Sequence, residues 1–392
     1  GTIETSSGGV VFGRGNGNIQ SVTITSGSLF SVDNNDDFGI NGAGITNNGT
    51  LLVNSDQSAF DRLVIRSNAT IGGSGVISLN ANASDYNTAQ LNVASGFTGT
   101  IDSAQTISGN GNMYGSFVNR GTVAGGSIRG PQLRGFMQQS GAGRWSVNIS
   151  GFNASILDGT LAGGTIETSN GGVVFGRGSG NLQGVTITSG SLFSVDNNDD
   201  FGVNGTGAII NGTLLINSDQ SAFDRLVVRS NATLAGSGVI TLNATSSDYN
   251  TAQFNVASGF TGTIGRSLTV QGNGNMYGVF TNQGTVAGRS IRGPQLRGFM
   301  QQDGGRWSVS GAGQNASILD GTLSGGTIET SSGGRVYGRG SGNIQNLTIT
   351  TGSVFSVDNN DDFGIGGNGL TNNGAIVINS DHGNLENLSH GK

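Results

Sequence analysis

Ser31-Val32-Asp33-Asn34-Asn35-Asp36-Asp37-Phe38-Gly39 occurs three times without change, returning as residues 194–202 and again as residues 356–364. The two steps are 163 and 162 residues. The surroundings return as well. Gly1-Thr2-Ile3-Glu4-Thr5 reappears at Gly164 and Gly326, and the run Arg129-Gly130-Pro131-Gln132-Leu133-Arg134-Gly135-Phe136-Met137 reappears at Arg292. The chain therefore divides into two full copies of one long unit, 1–163 and 164–325, a partial third copy, 326–381, and a non-repeating tail, 382–392. A fixed internal period is the signature of a repeat architecture and is settled before any local reading.

Inside one copy the apolar residues come in short alternating bursts such as Val22-Thr23-Ile24-Thr25, Thr50-Leu51-Leu52-Val53, Val76-Ile77-Ser78-Leu79 and Trp145-Ser146-Val147. Each is rich in β-branched residues and bounded by Gly, Asn, Asp or Ser, which is strand punctuation. No stretch keeps a 3.6-residue period, so almost no helix is expected. The spacers are too irregular for hairpins but suit a solenoid, in which each strand pairs with the coils above and below. Strong positions from Ile3 to Leu161 recur at a mean of roughly 20 residues, which predicts about eight coils per copy and about 20 in all. At about 4.8 Å per stacked strand that is a rod of roughly 90–100 Å. The fold class expected is all-β, a right-handed parallel β-helix forming one continuous solenoid.

Differences between copies sort into an inside and an outside. Val53 becomes Ile216 and Ile378, Ile71 becomes Leu234 and Leu91 becomes Phe254; these swaps stay apolar, as a packed core requires. Ser103 becomes Arg266 and Gly126 becomes Arg289, which only solvent accommodates. The segment around Pro131 and Pro294 is expected in a loop or at a corner, because proline cannot donate to a ladder.

Composition removes several functions. The chain has 73 glycines, no cysteine, 11% charged residues and a net charge of −6. That balance argues against nucleic acid or an acidic membrane as partner, since both need clustered Lys/Arg. There is no thiolate chemistry or disulfide framework. No apolar run is long enough to span a membrane. The chain opens at a repeat boundary without an initiator Met and is expected to be a piece of a longer or processed protein.

The pattern Asn-x-Gly-Thr-aliphatic at Asn47-Asn48-Gly49-Thr50-Leu51, Asn119-Arg120-Gly121-Thr122-Val123 and Asn282-Gln283-Gly284-Thr285-Val286, with Ser67-Asn68-Ala69-Thr70-Ile71-Gly72-Gly73-Ser74-Gly75, resembles the coils of large bacterial exoproteins. These are the autotransporter passengers and filamentous-haemagglutinin-like adhesins, which are right-handed parallel β-helices. The resemblance covers essentially the whole chain. It implies secretion to a bacterial surface and a stalk or fibre role in adhesion or matrix, and it carries over no catalytic residue.

Three candidate sites remain. The acidic segment Asp33, Asp36 and Asp37, with copies Asp196, Asp199, Asp200 and Asp358, Asp361, Asp362, offers consecutive oxygen ligands of the kind a hard cation such as Ca²⁺ takes. It lacks a spaced Asp-x-Asp-x-Asp-Gly loop, and the competing reading is a polar corner where Asn and Asp satisfy the backbone locally. A contact loop is the second candidate: Arg129, Arg134 and Phe136, with copies Arg292, Arg297 and Phe299. Exposed aromatics such as Tyr86 and Tyr114 are the third, as glycan contacts; Trp145 and Trp307 read as core. Catalysis has little to stand on. The two histidines, His382 and His390, lie in the tail, and adjacent Asp36 and Asp37 would point to opposite faces of a strand. No cofactor is expected.

The reading is a structural repeat segment of an extracellular fibre or adhesin stalk, with copies of itself, end to end or laterally, as partners. A surface adhesin holding glycan or a host-cell protein through its loops is the alternative, and a polysaccharide-active enzyme the weaker one.

Overall fold

The computed structural model describes every residue except 34, 56–59, 83, 84, 86, 197, 198, 219–222, 246, 247, 359–361, 380–386, 391 and 392, with backbone alone for 358 and 387–390. It contains two compact units, Gly1–Phe193 and Ser194–Lys392. Both are parallel β-solenoids without helix.

In the first unit the chain visits three sheet faces in turn. The first face begins Thr2–Ile3, Thr23–Ile24, Gly44–Asn47, Thr70–Gly72; the second Val11–Gly13, Leu29–Val32, Thr50–Asn54, Val76–Asn80; the third Asn18–Ile19, Asp37–Ile40, Asp61–Ile65, Ala89–Val93. Each strand pairs in parallel with the strand one turn above and one turn below. One long strand, Thr106–Tyr114, bends from the second face onto the third and pairs on both.

Period-2 alternation in short β-branched runs decides which side chains turn inward. On the second face Phe30, Leu51, Ile77, Ile107, Val123, Trp145 and Ile166 sit directly over one another. On the third face the stack is Phe38, Leu63, Leu91, Met113, Leu133 and Ile156. Nearly all are fully buried, so the apolar bursts form continuous internal columns. Trp145 and Trp307 are core residues, and each indole N–H meets a thioether at 3.4 Å, on Met137 and Met300. The conservative swaps of the two full copies lie inside: Val53, Ile71, Leu91 and their counterparts Ile216, Leu234 and Phe254 are all 0% exposed, whereas Ile378, the third-copy counterpart of Val53, is 51% exposed.

The Asn-x-Gly-Thr pattern is a corner between the first and second faces. Asn119 is buried and turns inward, accepting the Gly121 N–H at 3.1 Å and donating to Gln139 Oε1 at 3.4 Å. The glycine is required by close approach: a Cβ on Gly121 would stand 2.3 Å from the Gln105 carbonyl oxygen.

The chain makes about 17 turns, fewer than the 20 expected. The cause lies in the choice of marker residues. Ile24 and Ile71 lie on the first face, Leu51 on the second and Leu91 on the third, so the successive steps between them were not whole turns. A copy holds 22 ladder positions, one more than seven turns of three, at about 22 residues per turn. Equivalent residues therefore land on the next face. Ile3 stacks on Ile24 on the first face, whereas its copy Ile166 stacks on Trp145 on the second. The second unit behaves alike. Phe201 shares a column with Leu226, while Gly364, the residue after its copy Phe363, belongs to the column that runs back through Asn343 and Thr322 to Phe299.

The proline segment is not a single loop. Pro131–Leu133 and Pro294–Leu296 are strands with proline first, where a ladder tolerates it. Arg134-Gly135 is the following corner, and Phe136–Gln139 is the next strand.

Candidate functional site

Most longer connections of the first copy leave from one edge, between the second and third faces: residues 33–36, 55–60, 81–88, 125–130 and 148–152; residues 4–10, between the first and second faces, and 94–98, between the third and first, are the exceptions. The other two edges otherwise carry short corners such as Thr25 to Ser28, closed by a Ser28 N–H to Thr25 carbonyl bond of 3.0 Å. Candidate chemistry is therefore concentrated on that edge.

The acidic segment forms a corner there, held from below by a carboxylate the sequence reading missed. Asp61 is 1% exposed, and its Oδ1 accepts the N–H groups of Asn35 at 2.8 Å and Asp36 at 3.2 Å. Asp224, its copy, is 0% exposed and accepts from Asp199 at 3.3 Å. The sequence signal was available: an Asp before Arg-Leu-Val in both full copies, one turn beyond the acidic corner.

Arginines compensate the remaining charge. Asp33 faces Arg14 at 3.5 Å, Asp37 faces Arg62 at 3.2 Å, and Arg66 donates to the Asp37 carbonyl at 2.7 Å. In the second copy Asp200 pairs with Arg225, and Arg229 donates to its carbonyl at 2.6 Å. Asp196 is buried and Asp362 exposed; Asp361 lies outside the described residues, and of Asp358 only the backbone is described. Among the described residues no three carboxylates or histidines come together in a metal-binding group. The corner is thus an arginine-braced turn. A shallow groove of about 430 Å³ lies over it, lined by Asn16, Asn35, Asp36, Asp37, Phe60 and Arg62.

The contact-loop residues separate into two places. Arg129 and Arg292 stand before the proline strand on the loop-bearing edge; Arg134 and Arg297 stand after it, at the opposite side of the third face, roughly 16 Å away at strand spacing. Arg134 is braced by Asn112 at 3.1 Å and Asp158 at 3.3 Å, and Arg297 by Asn275 and Asp320 at the same distances. Phe136 is 42% and Phe299 37% exposed, both beginning first-face-type strands. Arg292 lies over the Tyr249 ring, its guanidinium carbon 3.6 Å from the ring centre. Beside the Arg134 group, burial pushes the Tyr114 phenol above its ordinary value, against the lowering effect of Arg134; Tyr277 is raised in the same way beside Arg297. Tyr86 lies outside the described residues.

The class these features define is a three-faced parallel β-solenoid with one elaborated edge. No protein family and no curated protein matches the chain. Among solved structures it is similar to a crystallised TibC-catalyzed hyper-glycosylated TibA55-350 fragment, at 20% identity over 97% of this chain and 96% of that one, with a TM-score of 0.24.

Proposed function

We propose that the chain is a structural repeat segment of an extracellular bacterial fibre or adhesin stalk, non-enzymatic, that extends by continuation of its own coils or by head-to-tail stacking with other copies. The observation that carries this reading is the continuity of the internal stacks. Seven apolar residues from Phe30 to Ile166 lie in unbroken register on one face, and each turn offers the next the same parallel ladder. Such a coil transmits load along its axis through backbone hydrogen bonds and needs neither disulfide nor metal. The acidic corners suit a scaffold as well, since arginines brace those of the two full copies. Secretion to a cell surface or matrix fits a chain without cysteine, whose stability comes from its ladder.

Electron microscopy of the native material tests this. Continuous filaments with an axial rise near 35 Å per copy, seven and a third coils at about 4.8 Å each, are expected. Separate short rods with free ends, at all concentrations, would overturn the fibre reading.

A further inference from the structure

The loop-bearing edge has a gap. In each full copy the chain crosses the edge that carries that copy's own longer loops once without a loop, at Gly109-Asn110-Gly111 and at Gly272-Asn273-Gly274. The glycines make the tight crossing possible. Gly272 has φ +96°, where a Cβ would stand 2.1 Å from the Leu242 carbonyl oxygen, and a Cβ on Gly274 would stand 2.4 Å from that of Ala252. The coils on either side of residue 273 both carry long loops. The result in the second unit is a notch two coil steps wide, about 10 Å. Tyr249, Asn273, Ser290, Ile291 and Arg292 line it, Arg292 reaching across to stack on Tyr249, around an open space of about 490 Å³. That volume lies within the roughly 300–1,000 Å³ of small-molecule sites.

The lining is preorganised. Ser290 Oγ donates to the Gly272 carbonyl at 3.2 Å and accepts the Gly293 N–H at 2.8 Å; its carbonyl accepts the Asn315 N–H at 3.0 Å, and the Asn315 side-chain amide donates to the Ile291 carbonyl. This bracing holds Ile291 78% exposed, an unusual setting for so large an apolar side chain. At Tyr249 the turn is closed by Asp248, which accepts the Asn250 N–H at 2.8 Å.

Two polar groups in the notch are unmatched. Asn273 Oδ1 is buried and has no hydrogen-bond donor; a buried acceptor left so costs about 1–3 kcal/mol. Arg292 forms no ion pair among the described residues, and its stack on Tyr249 leaves the guanidinium N–H groups free to point past the ring edge. A ligand that fits therefore brings a planar anion for the Arg292 fork and a C–H face for Ile291. We propose that this notch binds a carboxylate-bearing sugar residue of an acidic glycan. Charge favours the second copy, where Arg289 replaces Gly126 of the first beside the same loop. The first copy repeats part of the site: Asn110 Oδ1 is likewise buried without a donor, and Ile128 is 71% exposed.

The test is calorimetric titration of the whole chain with sialyllactose, with lactose as the same scaffold lacking the carboxylate, and with acetate as the carboxylate alone. Sialyllactose is expected to bind in the millimolar range, at least tenfold more tightly than lactose or acetate. R292Q is expected to weaken it about tenfold, and R292K to restore only part. R306Q, outside the notch, serves as the control for charge and folding and is expected to bind as the parent does. Equal binding of lactose, equal binding of acetate, indifference to R292Q in a chain that melts like the parent, or no binding of sialyllactose overturns the proposal.

Discussion

One pair of positions in the first copy supplies its own control in the second. Asn47 and Gln105 are buried two turns apart. Asn47 Nδ2 donates to Gln105 Oε1 at 3.2 Å and to the Val76 carbonyl at 3.1 Å, while Gln105 Nε2 donates to the Asn47 and Gly72 carbonyls at 2.5 and 2.8 Å. In the second copy both have changed together, to Ile210 and Leu268, both fully buried. N47I alone leaves Gln105 Oε1 buried without a donor, at about 1–3 kcal/mol. Q105L alone removes two donors from backbone carbonyls and the acceptor of one Asn47 bond, at a similar cost. The double variant N47I/Q105L reproduces the apolar pair of the second copy and is expected within about 1 kcal/mol of the parent, because removing both partners of a buried hydrogen bond is nearly neutral. The coupling between the sites is then about 2 kcal/mol.

A solenoid opens locally, so the assay is amide exchange by mass spectrometry on peptides spanning the Gly75 N–H, which donates to the Asn47 carbonyl, and the Thr106 N–H, which donates to the Gly75 carbonyl. Each single variant is expected to exchange roughly 5–150-fold faster there, at a factor of ten per 1.4 kcal/mol, and the double variant close to the parent rate. Costs that simply add in the double variant would refute the pairing argument.

Two further outcomes follow from the loop-bearing edge and the Tyr surface. D61A should leave the Asn35 and Asp36 N–H groups without their acceptor, costing about 2 kcal/mol and speeding exchange of those two amides; D61N keeps an acceptor oxygen and should be far milder, and equal effects would show that Asp61 does not cap the corner. Because folding raises the phenol pKa of Tyr114 and Tyr277, the folded chain favours their protonated form. Their contribution is fully present below the unfolded value near 10 and is lost as pH rises through the higher folded values. Spectroscopic alkaline titration should show two of the five tyrosines ionising late, and Y114F/Y277F should flatten the loss of stability above pH 10.

The strands and their inward residues were legible because a period of two leaves little choice in runs as short as Thr50–Asn54. The swaps at residues 53, 71 and 91 marked the core for the same reason. The number of turns was not legible. A strong apolar residue announces a strand but not its face, so Leu51 and Ile71 passed for successive turns of one column. Asp61 was hidden by its type, since a lone acid reads as surface unless its neighbour one turn below is known. The exchange of Asn47 and Gln105 stands in the sequence as two polar-to-apolar changes 58 residues apart, and only the structure shows that the two side chains meet. The notch around Asn273 rests on a missing loop, and Gly-Asn-Gly inside a strand pattern was the cue to it.

The extra ladder position in each copy turns a tandem duplication into a screw. Within the first unit the corner at residues 6–9 and its copy at 169–172 open on different sides, although their sequences are nearly the same. Within the first unit that shift sets like sequence on neighbouring sides of the coil, so repetition there does not build a single-sided row of like corners. A change of one ladder position per copy would bring the two corners onto the same side.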